Sequence, residues 1–168
     1  GAVAEEKAVQ DAVKRYGVSE AKAKKAVGPA VAKMAALASE LTGKPVVVYF
    51  YPKDDTSGCT AEAKDFSALA ADFRKAGVEV IGVSPDSVAS HQKFRKKYAL
   101  DVRLAADPDK AVALAYGVWV EKSMYGRKYM GVERSTFLVD GKGRIARSWR
   151  KVKVPGHAEE VLAAAKEL

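Results

Sequence analysis

The chain has 168 residues, 48% hydrophobic and 30% charged, which suits one folded domain of ordinary size and excludes a chain disordered throughout. Lysine and arginine number 29 against 21 aspartates and glutamates, and the net charge of +8 permits a polyanionic partner without requiring one. There is one cysteine, Cys59, so an intramolecular disulfide and a thiolate metal cluster are excluded.

No apolar run approaches the ~18 residues of a membrane-spanning helix, and no charged stretch leads into an apolar one as a secretory signal would. Residues 1–43 are rich in Ala and Lys and hold no strand-like run. Val9, Val13 and Tyr16 fall on one helix face, Gly17 suits a stop, and Ser19 suits the N-cap of a second helix. Gly28-Pro29 interrupts that helix, and Val31, Met34, Ala38 and Leu41 mark a third, closing at Gly43. Three short helices are predicted here, set apart from a second unit over 44–168.

From Lys44 onward strands alternate with helices. Val46 to Tyr51 is a continuous apolar run, as a strand covered on both faces requires. Thr60 to Ala76 carries Phe66, Leu69, Ala70 and Phe73 on one helical face, and Gly77 ends it. Val78 to Val83 reads as a second buried strand. Ser87 to Leu100 reads as a helix with Val88, His91, Phe94 and Tyr98 on its apolar side. Val102 to Ala105 is a short strand. Asp107-Pro108-Asp109 has the form of a helix start, an N-cap followed by Pro, and that helix ends before Gly117. Ser135 to Val139 and Ile145 to Trp149 flank Asp140-Gly141-Lys142-Gly143 as a hairpin, and Val154 to Leu168 closes the chain as an amphipathic helix. The fold class expected is α/β, with a mixed central sheet and helices on both faces.

Cys59 stands where the first strand hands over to the helix after it, behind the turn Thr56-Ser57-Gly58. A cysteine in the first turn of a helix meets unsatisfied N–H groups and the positive end of the dipole, and both favour thiolate over thiol. The bland alternative is a small core hydrophobe, as free cysteines often are.

The stretch PKDDTSGCTAE carries the pattern P-x-x-x-T-x-x-C, and VEVIGVSPDSVASHQKF, YGVWVEKSMYGRKYMGVERSTFLVD and WRKVKVPGHAEEVL follow in order. Together, over Leu41 to Leu168, these resemble the peroxiredoxins, and within them the bacterioferritin comigratory protein or Q-type subfamily. The resemblance implies a thioredoxin-like fold and thiol-dependent reduction of hydroperoxides, with no cofactor. It implies that Cys59 is the peroxidatic nucleophile, that the Thr56 hydroxyl turns back to the sulfur and the bound peroxide, and that Arg134 favours the thiolate and binds the peroxide oxygens. Pro52 would shield the thiolate, Gly58 belongs to the same turn, and Glu62 would orient Arg134. The chain departs from the family in two ways. A resolving cysteine is missing: its two usual positions hold Lys64 and Arg95, so an external thiol (thioredoxin, glutaredoxin or a small thiol) must regenerate Cys59. The helical reading of residues 1–43 replaces the β-hairpin that normally opens the family's fold. Ser57 also stands where the family often has a proline.

The remaining signals are weaker. His91 and His157 lie far apart without an acidic cluster, so no metal is expected, and His91 reads as a packed helix residue. Arg144 to Lys153 holds five basic residues and no acid, which suits a charged edge strand better than a nucleic-acid surface. Tyr16 to Lys25 has a helix-turn-helix flavour that is common by chance. Met124, Tyr125, Tyr129 and Met130 form either a wall of the peroxide pocket or a mobile surface loop. The leading expectation is a cytoplasmic, monomeric enzyme acting on hydroperoxides, with no membrane or nucleic-acid partner. A scaffold with impaired turnover and a redox-gated interaction module are the competing readings.

Overall fold

The computed structural model describes residues 43–168, and the expectations for the three N-terminal helices lie outside the described residues. Seven strands and five helices follow. β1 (Val46–Phe50) leads through α1 (Ser57–Ala68) and α2 (Ala70–Lys75) to β2 (Glu79–Ser84). α3 (Val88–Tyr98), β3 (Arg103–Ala106) and α4 (Ala111–Ala115) come next, then the pair β4 (Trp119–Met124) and β5 (Arg127–Val132). β6 (Ser135–Val139), β7 (Ile145–Trp149) and α5 (His157–Lys166) complete the chain.

The main sheet runs β3-β2-β1-β6-β7. β1, β2 and β3 are parallel, because helices return the chain between them. β6 and β7 run antiparallel to their neighbours, as the short turn 140–144 dictates. This is the mixed sheet expected. The unbroken apolar run of β1 is explained by its two faces. Val47, Tyr49 and Tyr51 pack under α1, α2 and α5, whereas Phe50, with Val46 and Val48, packs toward α4.

On the first face, ring stacks run from Tyr49 to Phe66 at 4.6 Å between centroids. Edge-to-face contacts carry the line on from Phe66 to His157 at 6.1 Å and from His157 to Trp149 at 5.8 Å. Gly82, the cross-strand partner of Tyr49, makes room for it: a Cβ there would lie 2.6 Å from the Tyr49 ring.

Several local expectations are corrected. The first helix begins at Ser57 rather than Thr60, because Thr56 is extended and its carbonyl already accepts from the Thr60 N–H at 2.8 Å. It breaks at Leu69, whose backbone (φ −99°, ψ 3°) leaves the helical well. Val88 opens its helix at 61% exposure, off the apolar side. Asp107 does not start a helix at Pro108. Lys110 takes a left-handed φ of +60°, the helix begins at Ala111, and the buried Asp107 carboxylate reaches across to the N–H groups of Val112 and Ala113 at 3.1 and 2.9 Å. The last helix starts at His157 because Gly156 has φ +76°, and Leu168 lies exposed beyond its end.

Met124, Tyr129 and Met130 lie on strands and Tyr125 in the turn between them. They belong to the β4–β5 hairpin, whose two-residue turn Tyr125-Gly126 has both φ positive, and all four side chains are exposed. Among the described residues β7 is an edge strand, as its basic residues suggested. Arg144, Arg147 and Arg150 pair with Asp140, Glu160 and Glu133.

Candidate active site

Cys59 is the third residue of α1 and sits against the sheet, 1% exposed, in the cluster that holds Tyr49 and Tyr51. Its placement follows from the local sequence. β1 ends at Phe50, and the loop 51–56 delivers Thr56 in extended conformation as the N-cap. The next turn winds Ser57, Gly58 and Cys59 into the helix with the sulfur directed inward.

Arg134 reaches that sulfur from the start of the neighbouring strand, where Ser135 pairs with Phe50. It stands between β5 and β6, with its carbonyl accepting from the Val152 N–H at 2.9 Å and the adjacent Glu133 N–H bonded to the Val118 carbonyl at 2.8 Å. Thus anchored, its Nη2 donates to Cys59 Sγ at 3.2 Å and its Nη1 to Glu62 Oε1 at 2.7 Å. Gly58 permits this approach, since a Cβ there would lie 3.2 Å from Arg134 Nη2. Cys59, Gly58, Glu62 and Arg134, 72 to 76 residues apart across the two segments, therefore meet at one point.

Burial dominates the electrostatics of this group. Burial pushes the Glu62 carboxyl up to about 7, against the opposing pull of Arg134. Burial also acts against the Arg134 charge, but Glu62 and Cys59 outweigh it and hold the guanidinium charged more firmly than usual. Tyr49 lies beneath. Burial, then the charges of Glu62 and Cys59, push its hydroxyl well above the ordinary value, so it stays neutral. Lys122 of β4 is half-buried in the same field, and burial and then Arg134 lower its ammonium.

Two expected residues sit less directly at the sulfur. The Thr56 hydroxyl donates to the Lys53 carbonyl at 2.9 Å, rather than turning back to Cys59. Pro52 opens the loop and is half-buried. Beside Thr56 a cavity of about 410 Å3 opens to solvent, lined by Ser57, Thr60, Lys64 and Tyr98 among others. Lys64, at one position of the missing resolving cysteine, lays its ammonium over the Tyr98 ring at 4.9 Å. Arg95, at the other, lines a separate groove with Arg74 and Asp101.

Sequence reasoning missed the residues that hold the loop. Asp54 is buried and bonded to Tyr51, Ser90 and His91, while Asp55 bonds outward to Lys97 and Tyr98. The repeated aspartate in the loop and the Ser-His pair of α3 were the available signals. Among the described residues, no group of three or more His, Cys, Asp or Glu is arranged to hold a metal, and no helix is long and apolar enough to cross a membrane.

Comparison with known proteins gives a consistent result. The AhpC/TSA family matches residues 19–148. Peroxiredoxin Bcp of Xanthomonas campestris is 52% identical over 124 residues, 74% of this chain and 78% of that protein. Peroxiredoxin Bcp of Bacillus subtilis is 47% identical over 130 residues, 77% of this chain and 83% of that protein. The solved structure of Xanthomonas campestris Peroxiredoxin Q superposes with a TM-score of 0.73 at 50% identity, covering 77% of this chain and 82% of that one. A structure of the Xanthomonas campestris bacterioferritin comigratory protein, studied for its alkyl peroxide reduction activity, superposes equally well at 49% identity over the same shares.

Proposed function

The chain belongs to the AhpC/TSA family and, within it, to the Bcp or Q-type peroxiredoxins; from that premise we propose that it reduces hydrogen peroxide and alkyl hydroperoxides through a sulfenic acid at Cys59. It is a thiol peroxidase with a thioredoxin-like fold. The observation that carries the assignment of roles is the Arg134 guanidinium, shared between Cys59 Sγ and Glu62.

In this reading the Cys59 thiolate attacks the terminal oxygen of the hydroperoxide. The S–O bond forms as the O–O bond breaks, sulfur loses two electrons, and the alkoxide leaves and takes up one proton. Arg134 stabilises the thiolate beforehand and the negative charge on the departing oxygen during the step. Glu62 aims Arg134 by accepting from its other amino group. Thr56 has its hydroxyl proton on Lys53, so its free lone pairs are available to accept from the peroxide O–H. Pro52 keeps water from the sulfur.

With one cysteine in the chain, the sulfenic acid has no internal partner. An external thiol condenses with it, releasing water, and a second thiol frees Cys59 as the external disulfide forms. Thioredoxin, glutaredoxin or a small thiol would serve. Such a cycle needs a reducing compartment, the cytoplasm, and nothing in it calls for a second copy of the chain.

The test is peroxide consumption with dithiothreitol as reductant. The protein turns over and Cys59→Ser does not, while both give the same circular dichroism. Equal turnover by the serine variant would overturn the mechanism, and loss of thiol only at the rate of free cysteine would favour the inert scaffold.

A further inference from the structure

The polar network around Asp54 takes no part in the steps above, yet its carboxylate is buried and bonded on both oxygens. Asp54 lies in the loop between β1 and Cys59 and is 8% exposed. Its Oδ1 accepts from the Tyr51 hydroxyl at 2.7 Å, and its Oδ2 from the Ser90 hydroxyl at 2.8 Å. The same Oδ2 lies 2.7 Å from His91 Nδ1. Its own backbone N–H donates to Asp86 Oδ2 at 2.8 Å, and Ser84 Oγ donates to that same oxygen. Both the backbone and the side chain of one loop residue are therefore fastened to the β2–α3 junction.

His91 decides the charge of this arrangement. The ring is 4% exposed, with Nδ1 against the Asp54 carboxylate and Nε2 3.2 Å from the Ala105 carbonyl of β3. Neither of those oxygens can donate. Only a ring that carries a proton on both nitrogens satisfies both contacts. The groups that face it are Asp54 and Tyr51 from the loop, Ser90 from its own helix, and the Ala105 carbonyl from β3. Burial pushes the Asp54 carboxyl up, but the hydrogen bonds from His91, Tyr51 and Ser90 outweigh it and keep it ionised.

We propose that Asp54 and His91 form a buried carboxylate–imidazolium latch that fixes the loop carrying Thr56 and Cys59, which makes His91 a positioning residue for peroxide attack; this rests on the peroxidase reading. Loss of the second proton would turn a lone pair toward either the Asp54 carboxylate or the Ala105 carbonyl. Both are buried, so one must move or stay unsatisfied. Asp54 is on a loop and Ala105 is in a sheet, so the loop gives way. Thr56, two residues on, carries the carbonyl that starts α1, and the shift passes to the Cys59–Arg134 geometry.

The latch is tested first in the unaltered protein by nitrogen-15 NMR of the histidine rings at neutral pH. Two protonated ring nitrogens are expected for His91, and one bare nitrogen overturns the proposal. The second test is the rate of attack by stoichiometric peroxide, followed by stopped flow against pH. His91→Gln is expected to lower it about tenfold to a hundredfold. The pH profile of attack by the variant should also differ from the parent's. Val112→Ala, in α4 on the opposite side of the sheet, is the control for lost stability alone and should keep the parent rate and profile. If Val112→Ala slows attack as His91→Gln does, or if the His91→Gln profile superimposes on the parent's, the positioning role is overturned. Should His91→Gln not fold, Asp54→Asn carries the same test. A parent protein that shows no attack at all sinks the peroxidase reading instead, and the ring-nitrogen result still decides the latch.

Discussion

The two faces of the central sheet bury their side chains in different chemical company. Toward α4, the cluster of Phe50, Ile81, Val83, Val112, Val118, Val132 and Phe137 is hydrocarbon, joined by the Tyr116 ring. Toward α1 and α5, the same strands bury Tyr49 and Tyr51 beside Cys59, Glu62 and Arg134, with Asp54 and His91 at one flank and the bonded pair Thr136–His157 at another. Apolar burial stabilises without regard to orientation. A buried charge must be matched by partners at fixed distances. One face therefore holds the fold together, and the other spends part of that stability on a site whose geometry cannot relax.

The largest break in this contrast is Arg134→Ala. It removes the guanidinium that donates to Cys59 Sγ and leaves Glu62 buried without its cation. Peroxide attack should fall about 10²- to 10³-fold, read by stopped flow at neutral pH. An unchanged rate would remove Arg134 from the site.

Glu62→Gln should change stability and chemistry in opposite directions. The folded protein holds the Glu62 carboxyl at about 7 against an ordinary 4.5. Its contribution is therefore fully favourable below the unfolded value and is lost as pH rises from about 4.5 to 7. At about 1.4 kcal/mol per unit, the loss is on the order of 3 kcal/mol above neutrality. Glutamine does not titrate and still accepts from Arg134. The variant should gain in Tm over the parent as pH rises through that window, while peroxide attack slows because the guanidinium is less firmly held. Parallel Tm curves from pH 4.5 to 8 would show that Glu62 is not buried as described.

Gly58→Ala sharpens the contrast at smaller scale. Alanine suits a helix better than glycine by up to ~1 kcal/mol, so stability should hold or rise. The added methyl meets the end of the Arg134 side chain, which must retreat a few tenths of an ångström. Attack should slow by clearly less than the ~10²-fold of a ~1 Å misplacement. A faster enzyme would contradict the proposed path of the guanidinium. At the bottom of the scale, Ile81→Val on the hydrocarbon face should cost about 1 kcal/mol in chemical denaturation and leave the attack rate at the parent value.

The strands of the main sheet were legible in the sequence to within a residue or so, because Val46–Phe50 is an unbroken apolar run buried on both sides and Ser135–Val139 runs straight into the turn at Asp140. The Cys59 turn was legible because Thr-Ser-Gly before an apolar helical pattern has few other meanings. The β4–β5 hairpin was not. Glu121, Lys122, Ser123, Arg127 and Lys128 break any two-residue alternation, since most of the hairpin faces solvent. The start of α4 was hidden by the left-handed Lys110, a conformation that no side chain announces. The Asp54–His91 pair joins residues 37 positions apart, and only the parallel arrangement of β1, β2 and β3 brings them together.

The line of rings from Tyr49 through Phe66 and His157 to Trp149 also has an optical consequence. Tyr49 underlies Cys59, and Trp149 sits at the far end of the series with its indole N–H on Glu160. The other indole, Trp119, lies on the hairpin under the Lys110 ammonium. The two emitters thus view different neighbourhoods, one at the end of a line of ring contacts that leads toward Cys59 and one not. With Trp119 replaced by Phe, the remaining fluorescence is expected to report on changes along that line of rings, read by titrating the protein with peroxide.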